Sequence, residues 1–112
     1  MKDFAEVNDL MISLIEDIGG DCTFTDKSKS IIHDVAEYSR QTELYKRFKD
    51  AGNSFMEEWR AEENVTAKDV YLHMLCKIAN APTMLHRNTA IILFIPIIDD
   101  MLTGKAGAVC DV

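Results

Sequence analysis

His73 and Cys76 stand three residues apart, on one face of any helix drawn through them. Asp69 precedes them by one turn and His86 follows after about one connection. Two imidazoles, a thiolate and a carboxylate are zinc ligands by type. No Cys-x-x-Cys pair anchors the set, and Cys76 falls between Leu75 and Ile78, where a small buried side chain is expected. The repeated Glu-x-x-His of di-iron bundles does not occur in the sequence. The expectation is a structural role for these residues, with no metal and no cofactor.

His33, with Asp34 and Glu37 beside it, has the types of a general base and its orienting carboxylates. A nucleophile is missing from this stretch, and nothing in the sequence places Cys22 next to it, so a surface histidine among acids is the simpler reading. The sequence also has no Gly-rich phosphate loop, no Gly-x-Ser-x-Gly, no His-Glu-x-x-His and no EF-hand pattern. Its Gly19-Gly20 pair follows a helical pattern and precedes no Lys-Ser/Thr. These absences point away from an enzyme.

Charge gives a more specific signal. The net charge is −7, from 19 acids and 12 bases. Residues 1–23 carry six acids and one base, residues 24–49 four acids and six bases, and residues 50–69 six acids and two bases. Two acidic stretches therefore flank a mildly basic one. In the second acidic stretch, Glu57, Glu58, Glu62 and Glu63 surround Trp59, and Glu58 and Glu62 share a helix face. Such a face is either simply solvated or docks a basic partner, with Trp59 as a candidate anchor. A partner-binding role is assigned here to Glu57, Glu58, Trp59, Glu62 and Glu63. The acidic balance argues against nucleic acid as a main partner. A helix-turn-helix over residues 66–93 would lack its turn glycine and offer only Arg87 as a base in the second helix.

These side chains need helices to position them. Phe4, Val7, Leu10, Met11, Leu14, Ile15 and Ile18 recur at steps of three and four, and Gly19 can end that helix. Thr25 and Asp26 can cap a second helix carrying Ile31, Ile32, Val35, Ala36 and Tyr38. From about residue 41 the stripe is Leu44, Phe48, Ala51, Phe55 and Trp59. Gly52 lies off this stripe; a helix can run through it at a cost of about 1 kcal/mol or break there, and two helices meeting near residues 50–54 are the favoured expectation. Thr66 and Asp69 read as a capping box before Val70, Leu72, Met74, Leu75 and Ile78. Pro82 must precede or open the last helix, which is apolar nearly all round and is expected to be the buried centre, kinked or divided at Pro96 and closed by Gly104. The fold expected is all-α, a single compact bundle of five or six helices over residues 1–104, with a short flexible tail at 105–112.

The run from Trp59 through Thr66, followed by Val70, Leu72, Leu75 and Ile78, resembles part of the death-domain pattern, in which a tryptophan-bearing helix precedes a threonine-capped one. Residues 10–20 are similar to the first helix of such domains. The chain departs from that pattern over residues 25–51, where the second-helix tryptophan is missing. The resemblance implies an adaptor acting by helix-bundle association.

Residues 1–18 have an acidic, amphipathic start unlike a secretory leader, and the longest apolar run, residues 90–98, is about half the length of a bilayer span. Cys22, Cys76 and Cys110 are odd in number and without paired spacing, which fits a reducing cytoplasm. Aromatic and Met side chains are more numerous than one small bundle needs, so a homodimer or hetero-complex is expected. The leading expectation is a non-enzymatic inhibitor, immunity, anti-defence or adaptor protein that occupies a partner protein. The alternative is a helical regulator that meets nucleic acid through Lys27, Lys29, Arg40, Lys46, Arg47 and Lys49.

Overall fold

The computed structural model describes residues 3–62 and 64–104, the side chains of residues 56, 59 and 60 excepted. The expected tail at 105–112 lies outside the described residues. Five helices follow one another: α1 (Phe4–Ile18), α2 (Asp26–Arg40), α3 (Glu43–Ala61), α4 (Ala67–Ala79) and α5 (Met84–Thr103). Among the described residues there is no strand.

The helix ends follow from local chemistry. Asp3, Thr25, Thr66 and Thr83 each accept a hydrogen bond from a backbone N–H of the first turn they precede. At Thr66 the bond is reciprocal. Thr66 Oγ1 accepts from Asp69 N at 3.2 Å, and Asp69 Oδ2 accepts from Thr66 N at 3.0 Å. Gly19 and Gly104 end α1 and α5 with φ of 67° and 69°, values that cost a side-chain-bearing residue about 1 kcal/mol or more.

α5 is the hub, and each of the other four helices packs on it. Ile91, Ile92, Ile95 and Ile98 are at most 1% exposed, and Ile91, Ile95 and Ile98 share one core cluster with Val7 and Met11 of α1, Ile32 and Ala36 of α2, and Val70, Met74 and Ile78 of α4. The first turn of α5 behaves differently from the rest. Met84 is 52% and Leu85 72% exposed, so the helix is buried from Ile91 onward rather than throughout. It runs through Pro96 as a single helix and is not divided there.

The expected break near residues 50–54 is not found. α3 is continuous through Gly52, and Gly52 is buried while Ala51 is exposed, so the glycine lies on the packed face. A Cβ at Gly52 would stand 3.2 Å from Leu93 Cδ1 and 3.4 Å from Ile97 Cδ1. The missing side chain is what lets α5 approach α3 so closely. Gly52→Leu is expected to destabilise the fold by about 2 kcal/mol through overpacking. Gly52→Ala should be near neutral, because its gain in helix propensity of about 1 kcal/mol offsets the tight contact. Urea unfolding checks both, and an unchanged midpoint for Gly52→Leu would mean that α3 does not rest on α5 there.

One polar pair lies between α1 and α5. Asn8 is 1% exposed, and its Nδ2 donates to Phe4 O at 3.0 Å and to Asn88 Oδ1.

Candidate functional site

The last turns of α3 and the residue just after it carry the acidic face. Glu57, Glu58 and Glu62 are exposed. The assigned Glu63 and the Trp59 side chain lie outside the described residues. Glu58 and Glu62 are one turn apart and line a groove of about 480 Å³ together with Phe55, Val65 and His73. The groove's apolar side is well braced. Phe55 stacks on the His73 ring at 5.6 Å with 26° between planes, and it meets Phe94 of α5 at 5.3 Å. An apolar floor with two carboxylates on its rim suits a long basic side chain, whose methylenes pack on the floor while its head reaches the acids.

His73 also lines a second groove, of about 910 Å³, between α4 and the first half of α5, and Cys76 and His86 line it too. The three residues singled out for metal chemistry thus share one surface. Among the described residues no group of three His, Cys, Asp or Glu is gathered closely enough to hold an ion. Asp69 is held in the capping box, and His86 Nδ1 bonds Thr83 Oγ1 at 2.6 Å. Cys76 is exposed, against the expectation of burial. Tyr71, Met74, Leu75 and Ile78 occupy the core face of α4, and position 76 turns away from that face into the groove.

His33 is tied to a residue that sequence reasoning missed. Its ring Nδ1 lies 3.2 Å from Asp99 Oδ1 of α5. Asp99 is 2% exposed. Arg40 Nη2 donates to Asp99 Oδ2 at 2.9 Å, to Asp100 Oδ1 at 3.0 Å and to the Pro96 carbonyl at 3.4 Å, while Nη1 reaches Glu37 at 3.0 Å. Burial draws the Arg40 pKa down, but the Asp99 hydrogen bond and the charges of Asp100, Asp99 and Glu37 outweigh it, and the guanidinium is held above its usual value. Arg40 is therefore a bracket between α2 and α5, and Arg87 has a similar task at α4. Arg87 Nε donates to Ile78 O at 3.1 Å and its Nη2 to Ala81 O at 3.5 Å, which closes the end of that helix.

Cys22 is half-buried, with φ of 52°, in the left-handed region. Burial pushes its thiol pKa up, Lys68 offsets part of that, and Cys76 and Asp21 add to it. A raised thiol is a poor nucleophile near neutral pH.

Among the described residues no helix is long and apolar enough to cross a membrane. No protein-family model, curated protein or solved structure matches the chain.

Proposed function

We propose that this protein is a non-enzymatic interaction module, of the inhibitor, immunity, anti-defence or adaptor kind, that acts in a reducing cytoplasm by binding a protein with a basic surface. The observation that carries the reading is that Glu58 and Glu62 line one groove together with Phe55 and Val65. Glu57, also exposed, extends the acidic face, and Trp59 and Glu63 belong to the same stretch of sequence. Exposed Phe48, Met84 and Leu85 leave apolar surface for a homodimer or hetero-complex. The nucleic-acid alternative is weaker, because Arg40, one of its six bases, is committed to Asp99 and Asp100, and Arg87 to backbone carbonyls.

Glu58→Lys with Glu62→Lys tests the reading. Both positions are exposed, so stability should move by less than about 0.5 kcal/mol each. Binding to the partner captured by the wild-type chain from its source cells should associate at least tenfold more slowly at low salt, and its salt dependence should flatten. A partner that binds the double variant at the wild-type rate and with the wild-type salt slope would reduce the acidic face to a solvated surface.

A further inference from the structure

The two grooves meet at His73, which lines both, and Phe55 and Phe94 pack beside that meeting point. We infer that they form one docking trough for an amphipathic helix of a partner protein, with acidic residues in its first turn and basic residues in its last. The inference rests on the proposed acidic surface and adds the form and direction of what binds there.

The trough has a direction. α4 and α5 run in opposite senses from their short connection, with Arg87 reaching Ile78 O near the turn and His73 and Phe94 flanking Phe55 farther along. At the turn end stands the exposed Lys77, together with the start of α5. That start has no acid in its first turn, so the partial positive charge of its N–H groups has no carboxylate of its own helix to balance it. At the other end stand Glu58 and Glu62. Between the ends the lining is mainly apolar, with Leu72, Ala90, Leu93 and Phe94. The surface is therefore positive, then apolar, then negative.

A partner helix with acids first and bases last complements that order, and it is also the order that a helix's own dipole favours. Leu85 to Phe94 spans about 14 Å along α5, and one more turn reaches the Glu58 side, so the occupant is a helix of about 13 residues. A trough between two helices takes a third by its apolar stripe, and the described residues offer no sheet edge to which a strand could add. A second copy of this chain fits poorly. α1 and α5 lack a base in the last turn, and the apolar stripes of α2, α3 and α4 are already packed within the bundle.

The test uses the full chain and two synthetic 13-residue peptides (a length of about two and a half to four turns covers the trough). Both carry leucines at helical spacing and a side-chain cross-link on the outward face to equalise helicity. One has Glu in the first turn and Arg in the last, and the other has these exchanged. Fluorescence anisotropy should show the acid-first peptide binding at least tenfold more tightly. Leu85→Asp, at a position 72% exposed, should cost that peptide at least tenfold in affinity, and Lys77→Glu should narrow the gap between the two peptides, both with wild-type melting curves. Equal affinity for the two peptides, no binding up to millimolar peptide, or indifference to Leu85→Asp overturns the inference. So does a homodimer that Leu85→Asp dissociates, since the trough would then belong to a second copy. Any of these can occur while the Glu58→Lys, Glu62→Lys variant still loses the captured partner, so the two readings fail separately.

Discussion

Ile95→Asp is expected to leave the chain unfolded at 25 °C, with loss of the far-ultraviolet helical signal rather than a lowered melting temperature. Ile95 is fully buried in the helix on which the other four pack. The substitution removes a large apolar side chain and places a carboxylate in a cluster of buried apolar residues, a combination that costs more than about 5 kcal/mol. A domain of this size has only about 5–15 kcal/mol to lose. Ile92→Asp, at 1% exposure, should behave in the same way. Leu85→Asp on the same helix should melt as wild type, and that contrast separates a core effect from a general intolerance of charge on α5. A cooperative melt near wild type for both core variants would make α5 an exposed helix and undo the bundle as described.

Arg40→Met should destabilise by about 3 kcal/mol, because the buried Asp99 carboxylate loses its closest charged donor while remaining out of water. The decisive comparison is the double variant Arg40→Met with Asp99→Leu. If the cost comes from stranding a charge, removing that charge as well should restore at least half of the lost stability, even though one more native group is gone. Denaturant unfolding of the four members of the cycle gives the coupling directly. Additive losses would mean that the two side chains act independently and that the short Arg40–Asp99 contact contributes packing alone.

The difference between what sequence revealed and what it concealed follows from distance along the chain. Helix ends were legible, since Thr66 and Asp69 cap one another within three residues and Gly19 stops α1 where its apolar stripe ends. The closeness of Glu58 and Glu62, which line one groove, was legible too, because they stand only four positions apart. Asp99 was not. Its partners His33 and Arg40 lie 66 and 59 positions away, and nothing in its own neighbourhood marks it as buried. Gly52 misled because glycine within a helical pattern reads as a break, whereas its actual role depends on Leu93 and Ile97 of a later helix. Cys76 misled because its apolar neighbours Leu75 and Ile78 are buried, and a helix can turn away from its core within one residue. The groove between α4 and α5 has no local signature at all. Its lining comes from two helices whose register is set by core packing on their other sides.

The position of the hub in chain order has a consequence for how the molecule is made. α5 is the last of the five helices, yet α1 to α4 all pack on it. During translation the ribosome delivers four amphipathic helices before the surface that covers their apolar stripes exists. Met11, Ile32 and Met74, all fully buried in the finished bundle, remain wet or chaperone-bound until residues 91–98 leave the exit tunnel. Cooperative folding therefore waits for nearly the whole domain to be synthesised. A pause in elongation before α5 would prolong a sticky intermediate rather than give an early subdomain time to form.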